Sequence, residues 1–154
     1  MTKIVRMTEA HLGEIGQIVE ATPLFQQYEF PGAQAEKQLS ARLTDAGSRL
    51  LTALDSSGRV VGFAWFTLRG AFGRSGYLRL IAVHPDCQAG GIGVQLLKEL
   101  EREFLSPHGI FLLVTATNPT ARKFYEKQGY TLIGALPGYV KAGIDECLYF
   151  KPAD

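Results

Sequence analysis

The densest chemical signal in the chain is Gln88–Gly93, QAGGIG, which sets three glycines within four positions directly ahead of the helix formers VQLLKEL (Val94–Leu100). A glycine inside an element costs roughly 0.5–1 kcal/mol relative to alanine, so this much bare backbone needs a use. Its position supplies one. Backbone N–H groups at a helix start lack intrahelical partners, and the helix dipole adds partial positive charge there. Phosphate and other anions bind such starts, and residues without side chains let the anion come close. The loop therefore reads as an anion cradle. A P-loop would end in Gly-Lys-Ser/Thr, but Gly93 is followed by Val94 and Gln95. A dinucleotide fingerprint would need a third glycine where Leu96 stands. Both nucleotide readings fall away.

Other reactive residue types are sparse. Cys87 stands just before the cradle with no neighbouring base to activate it, so it reads as a packing residue, as does Cys147. The two cysteines have neither short-range pairing nor metal-ligand spacing, which implies free thiols, a reducing cytoplasmic setting and no metal. His84, directly before Pro85, reads as a turn residue, and His11 and His108 as solvent-facing. Asn118-Pro119 is a helix N-cap followed by proline in the first turn.

The elements that must position these residues follow from periodicity. Lys3–Met7 reads as a strand. Thr8 is an N-cap for a helix with Leu12, Ile15, Ile18 and Val19 on one face, ending near Thr22-Pro23. A loop over Leu24–Gly32 leads to a helix with Ala35, Leu39 and Leu43 on one face, ending near Gly47. Arg49–Asp55, Arg59–Gly70 and Gly76–Val83 read as an antiparallel meander. A helix carrying Leu96, Leu97, Leu100 and Phe104 follows, then a buried strand over Ile110–Ala116 and a short helix over Pro119–Gln128. Two last strands, Tyr130–Leu136 and Glu146–Lys151, bracket a longer loop. The order β-α-α-β-β-β-α-β-α-β-β predicts an α+β fold: a mixed, mostly antiparallel sheet of about seven strands with helices on both faces, its strand–helix–strand crossover making one parallel pair.

A length of 154 residues suits one domain with its own core, spanning residues 1–154. The formal charge of +1 offers no electrostatic footprint for nucleic acid or anionic membrane. The N-terminal stretch MTKIVRMTEAHLGEIG lacks a signal-peptide core, and no apolar run is long enough to span a bilayer.

Two motifs in sequence carry a family resemblance. Leu80–Gly93, LIAVHPDCQAGGIG, holds a strand-end Ala-Val-x-Pro and then Gln-x-x-Gly-x-Gly at Gln88, Gly91 and Gly93. After the next strand, Asn118–Tyr130 holds Asn118, Ala121, Phe124-Tyr125 and the closing Gly129-Tyr130. Together, and with the element order β-α-α-β-β-β-α-β-α-β-β, they resemble the GNAT superfamily of acetyl-CoA-dependent N-acetyltransferases. The resemblance implies acetyl-CoA as co-substrate, lying between the strands Gly76–Val83 and Ile110–Ala116, with pantetheine along Ile81, Ala82 and Val83. It puts the pyrophosphate on the N–H groups of Gln88–Gly93, chiefly Ala89, Gly91 and Gly93, and Asn118 on the far side of the pantetheine arm, with Gly90, Ile92, Val94, Ala121, Phe124 and Tyr125 also at the cofactor.

It further implies direct attack by an amine in a ternary complex. Tyr125 would protonate the departing thiolate, a phenol of pKa about 10 being matched to that task. The positions where relatives carry a carboxylate base hold Tyr77 and Leu113 here, leaving a water chain touching Tyr77 or backbone carbonyls as the expected base. The acceptor, a small-molecule or peptide amine, would enter between Leu24–Gly32 and Pro137–Glu146. Phe25, Tyr28, Glu29 and Tyr139 would frame it, with Asp145, Glu146 and Lys141 as nearby charges. The missing carboxylates equally fit a non-catalytic acyl-CoA-binding or sensing module, and a longer acyl donor would fit the same fold. The resemblance leaves monomer and homodimer both open.

Overall fold

The computed structural model describes every residue from Met1 to Asp154. Strand β1 (Lys3–Arg6) leads through a 3-10 turn, Glu9–His11, into helix α1 (Leu12–Ala21). Thr8 caps the turn rather than α1 itself, its N–H donating to His11 Nδ1 at 3.1 Å. The four apolar residues expected on one face, Leu12, Ile15, Ile18 and Val19, are all buried. The stretch expected to be a loop contains a short helix, α2 (Pro23–Gln27), entered through Pro23. Proline's fixed φ suits that first position, and five residues are too few to display a helical period. Helix α3 (Gly32–Ser40) stops short of Gly47, and turns fill the interval.

Strands β2 (Ser48–Leu54), β3 (Val60–Ala71) and β4 (Ser75–Val83) form the expected meander. A 3-10 turn over Pro85–Gly90 enters helix α4 (Ile92–Phe104), so Gly93 lies inside the helix rather than ahead of it. Strand β5 (Ile110–Thr115), helix α5 (Pro119–Lys127) and strands β6 (Thr131–Lys141) and β7 (Ile144–Lys151) complete the chain. The expected loop between the last two strands is mostly strand. β6 continues to Lys141 through an irregular pairing after Leu136, and Gly143, at φ 84°, closes a tight turn into β7.

The seven strands form one sheet in the order β1-β2-β3-β4-β5-β7-β6, parallel only between β4 and β5. Both faces are apolar. Helices α4 and α5 bury Leu96, Leu97, Leu100 and Tyr125 with Phe66, Leu78 and Leu112 on one face. On the other, α1 and α3 bury Ile15, Val19 and Leu39 with Phe63 and Trp65. Burying each such aliphatic or aromatic side chain is worth about 1.5–3 kcal/mol, which fixes each helix to its face.

Strand β4 keeps company with its parallel neighbour for only part of its length. It pairs with β5 over Gly76–Leu78 and Ile110–Leu112 alone. Against β3 it carries one residue too many: Trp65 faces Leu80, Phe66 faces Leu78, and Arg79 has no partner. An extra residue bends its strand, and this one comes directly after the last β4–β5 pair. Beyond it the two parallel strands part, leaving a wedge between Arg79–Val83 and Leu113–Thr115. The Arg79 guanidinium lies over the Trp65 ring at 4.6 Å and steadies the bulge. At the closed end, a Cβ on Gly76 would come within 2.2 Å of the Phe66 ring, so glycine is what lets the strand pass beneath it.

Candidate active site

The wedge opens toward the carboxyl ends of its parallel strands, where ligands of α/β sheets are bound. There β4 runs into the Pro85–Gly90 turn and α4. Gly91 caps α4 at φ 74°, the left-handed region that glycine alone enters without steric cost. The first bond of the helix runs from Gln95 N–H to Gly91 O at 3.1 Å. The N–H groups of Gly91, Ile92, Gly93 and Val94 have no backbone acceptor, and no acidic side chain occupies the first turn. Four free donors at the positive end of a 13-residue helix are an arrangement that suits an anion.

The glycines in this loop divide the work. A Cβ on Gly90 would meet only Ile92, at 3.9 Å, whereas one on Gly93 would touch the Phe124 ring at 3.4 Å. Gly90 thus leaves open space, whereas a side chain at Gly93 would rest in ordinary contact on the Phe124 ring. Gln88 and Ala89 are exposed in the 3-10 turn, and the Gln88 side chain reaches back to Val83 O at 3.5 Å. Ile81, Ala82 and Val83 are half-buried along one limb of the wedge.

Beyond the other limb, Asn118 Oδ1 accepts from Ala121 N–H at 3.1 Å, which makes Asn118 the N-cap of α5. Ala121 and Phe124 pack on the core. Tyr125 is buried, its ring edge-on to Phe124 at 5.1 Å and Tyr130 at 5.8 Å. Its hydroxyl has no protein partner and is not sealed off. Burial pushes the phenol above its ordinary range, so it stays protonated and able to donate. His84 Nδ1 accepts from Asp86 N–H at 3.1 Å, and Arg59 lies 3.3 Å from Cys87 Sγ, so both residues are engaged in local structure.

On the opposite face of the sheet, Tyr28 ends α2 and reaches across the chain to the edge of the wedge. Its hydroxyl bonds Thr115 Oγ1 at 2.6 Å and donates to Glu146 Oε2 in a short contact. The phenol has one proton and gives it to Glu146, so the Thr115 hydroxyl is the donor in the other bond. Thr115 and Glu146 are cross-strand partners on β5 and β7. Burial raises the Tyr28 phenol to about 12, with Glu146 adding to the rise. Glu146 is only 3% exposed, and burial lifts its carboxyl above the usual carboxylate range despite the Tyr28 bond. Tyr77, half-buried on β4, is also raised, chiefly by burial, with Arg79 opposing and Glu146 and Tyr139 adding to the rise.

The residues expected to frame the acceptor separate on folding. Tyr28 reaches the wedge. Phe25 is buried in the core against Phe30 at 5.8 Å, because α2 turns that side of the segment inward. Glu29 is exposed at φ 52° and pairs with Lys141 at 3.3 Å, and Tyr139 stands exposed on β6. Thr115, Arg79 and Trp65 were not legible as site residues. Glu146 was visible only as one of several acids, since nothing in a linear sequence pairs it with Tyr28 across 118 positions.

Known proteins share this fold. The sequence profile of the acetyltransferase (GNAT) family matches residues 16–130. An uncharacterized N-acetyltransferase of Methanocaldococcus jannaschii is 35% identical over 97 residues, a match covering 61% of this chain and 60% of that protein's length. A GNAT-family structure from Desulfovibrio desulfuricans superposes over all of both chains at a TM-score of 0.85 with 22% identity. The spermidine N-acetyltransferase of Vibrio cholerae, solved with CoA and spermine, superposes at a TM-score of 0.81 with 18% identity, covering 99% of this chain and 95% of that one. The wedge, the glycine loop and the match over most of the sequence agree: the chain belongs to the acetyltransferase (GNAT) family.

Proposed function

We propose that the chain is an acetyl-CoA-dependent N-acetyltransferase that acylates a primary amine of a small molecule or peptide by direct attack while both substrates are bound. The observation that carries this reading is the parting of β4 and β5 directly below four free N–H groups at the start of α4. A strand edge without partners suits an amide-bearing arm, and free helix-start donors suit a pyrophosphate. Acetyl-CoA has both, and supplies the activated acyl group. On this reading Ile81–Val83 bond the arm, Gly91–Val94 bond the pyrophosphate, and Gly90 gives the phosphates room.

Acetyl transfer from a thioester to an amine needs a neutral amine, a polarised carbonyl and a proton for the leaving thiolate. Tyr125 has a protonated, unpartnered hydroxyl for the last of these. Tyr77 and the Tyr28–Glu146 pair stand on the side from which the amine would come. The test is a thiol-release screen with acetyl-CoA against polyamines, amino acids, simple amines and peptide N-termini, with calorimetry of acetyl-CoA binding. The expected result is turnover of at least one amine class. Tight acetyl-CoA binding with no turnover anywhere would make the domain an acyl-CoA sensor, and release only from longer thioesters would change the donor.

A further inference from the structure

Two carboxylates are buried in this protein, and they are treated differently. Glu101 is 8% exposed and fully compensated: Lys151 Nζ lies at 3.1 Å, Lys98 Nζ at 3.4 Å and the Tyr130 hydroxyl at 3.0 Å. Glu146 is more deeply buried, at 3% exposed, and receives one phenol and no cation. Its Oε1 accepts no bond from the protein, and that atom is not sealed from solvent. The cations Arg79 on β4 and Lys141 on β6 are engaged elsewhere, over Trp65 and with Glu29. A buried anion without a counter-ion is costly, so such a site has an unmet demand for positive charge.

We propose that Glu146 is the counter-ion that receives the acceptor's ammonium group and takes its first proton, so that the acceptor class is amines with no carboxylate beside the reacting nitrogen. The proposal rests on the acetyltransferase reading and deepens it. Glu146 pairs with Thr115, the last residue of β5, and so lies at the open part of the wedge, on the face that carries Tyr28. The ammonium gives one proton to the carboxylate, which passes it on to solvent. The neutral nitrogen then forms the C–N bond as the C–S bond breaks. Of its two remaining protons one stays in the amide, and loss of the other balances the proton gained by the thiolate.

A carboxyl held above its usual range is a better base near neutrality than an ordinary one. The groups that act on it are Tyr28 at the end of α2, which Thr115 of β5 holds in place, Tyr77 from β4 and Asp145 beside it on β7, while Arg79 and Tyr139 act on Tyr77. A zwitterionic amino acid would bring its own carboxylate toward Glu146 and Asp145, and so be disfavoured.

Glu146→Gln keeps the shape and the Tyr28 bond and removes the charge. On amines that the parent acetylates, kcat/KM should fall about 10²-fold or more, while acetyl-CoA affinity and Tm are kept. The acid limb of the parent's pH profile, centred above the ordinary carboxylate range, should vanish. A kcat/KM within about threefold of the parent would overturn the assignment and leave the acetyltransferase reading standing. If the parent acetylates no amine, that reading falls, and calorimetry with 1,4-diaminobutane decides the remainder. Binding to the parent that Glu146→Gln abolishes supports the counter-ion, and absent or unchanged binding overturns it. Should Glu146→Gln fail to fold, Tyr28→Phe carries the test. It removes the bond that lowers the Glu146 pKa, so the acid limb must move to higher pH, and an unmoved limb overturns the proposal.

Discussion

Tyr125 and Tyr28 are both drawn out of solvent, and the difference between them is what their hydroxyls meet. Tyr28 is locked between Thr115 and Glu146, whereas Tyr125 offers its proton to nothing in the protein. Tyr125→Phe keeps the edge-on packing against Phe124 and Tyr130 and deletes only that proton. We expect acetyl-CoA affinity to change little while kcat falls about 10²-fold, measured where chemistry limits turnover. Because burial raises this phenol, its ionisation should not limit kcat until pH is above about 10. A matching collapse of acetyl-CoA affinity would instead make Tyr125 a positioning residue. Tyr125 could be found in the sequence because it sits in a local motif with Asn118 and Ala121. Glu146 could not, since its meaning depends on a cross-strand register with Thr115 and on a tyrosine far away in the chain.

The helix start tests the cradle at the scale of an element. Gly90 and Gly91 look alike in sequence but answer differently to substitution. A side chain at Gly91 would be forced into the left-handed region, at a cost of about 1–2 kcal/mol that would lower stability as well as binding. At Gly90 the backbone has no such demand and the space beside it is open. Gly90→Val should therefore keep Tm close to the parent's and weaken CoA binding about tenfold or more, the value of one lost charge-assisted bond. Unchanged CoA affinity in the folded variant, read by calorimetry, would remove the phosphate role. The meander, both long helices and the crossover were readable from periodicity. Helix α2 was not, being too short for a period to appear, and neither was the bulge at Arg79, which no turn residue announces.

Across the whole molecule, tyrosine ionisation is tied to folding. Tyr28, Tyr77, Tyr125, Tyr130 and Tyr149 all have phenols raised above their ordinary value, each chiefly by burial. Raised folded values mean that the native state holds its protons where the unfolded chain releases them. Their contribution to stability is whole below about pH 10 and is lost as pH climbs through the folded values, at about 1.4 kcal/mol per strongly shifted group per pH unit. Thermal melts from about pH 9 to about pH 11 should show a steep fall in Tm, accompanied by a cooperative rise in tyrosinate absorbance. A smooth absorbance titration near pH 10 with no loss of Tm would contradict it. Glu146 acts at the other end of the scale. Its raised carboxyl costs stability as pH rises through the acid range, and that cost is the price of a site waiting for a cation.

The bulge at Arg79 has a bearing on how the sheet is assembled. Past it, β4 reads Leu80, Ile81, Ala82, Val83, apolar at every position. Alternation normally tells a strand which way round to lie, and this segment carries no alternation. A slip of one step would exchange the side chains given to α1 and α3 for those given to α4 without exposing anything charged. The slipped chain would have an unbroken ladder and no wedge. At the point where the two phases diverge, a cation rests on an indole, and that contact favours the phase that leaves the wedge open.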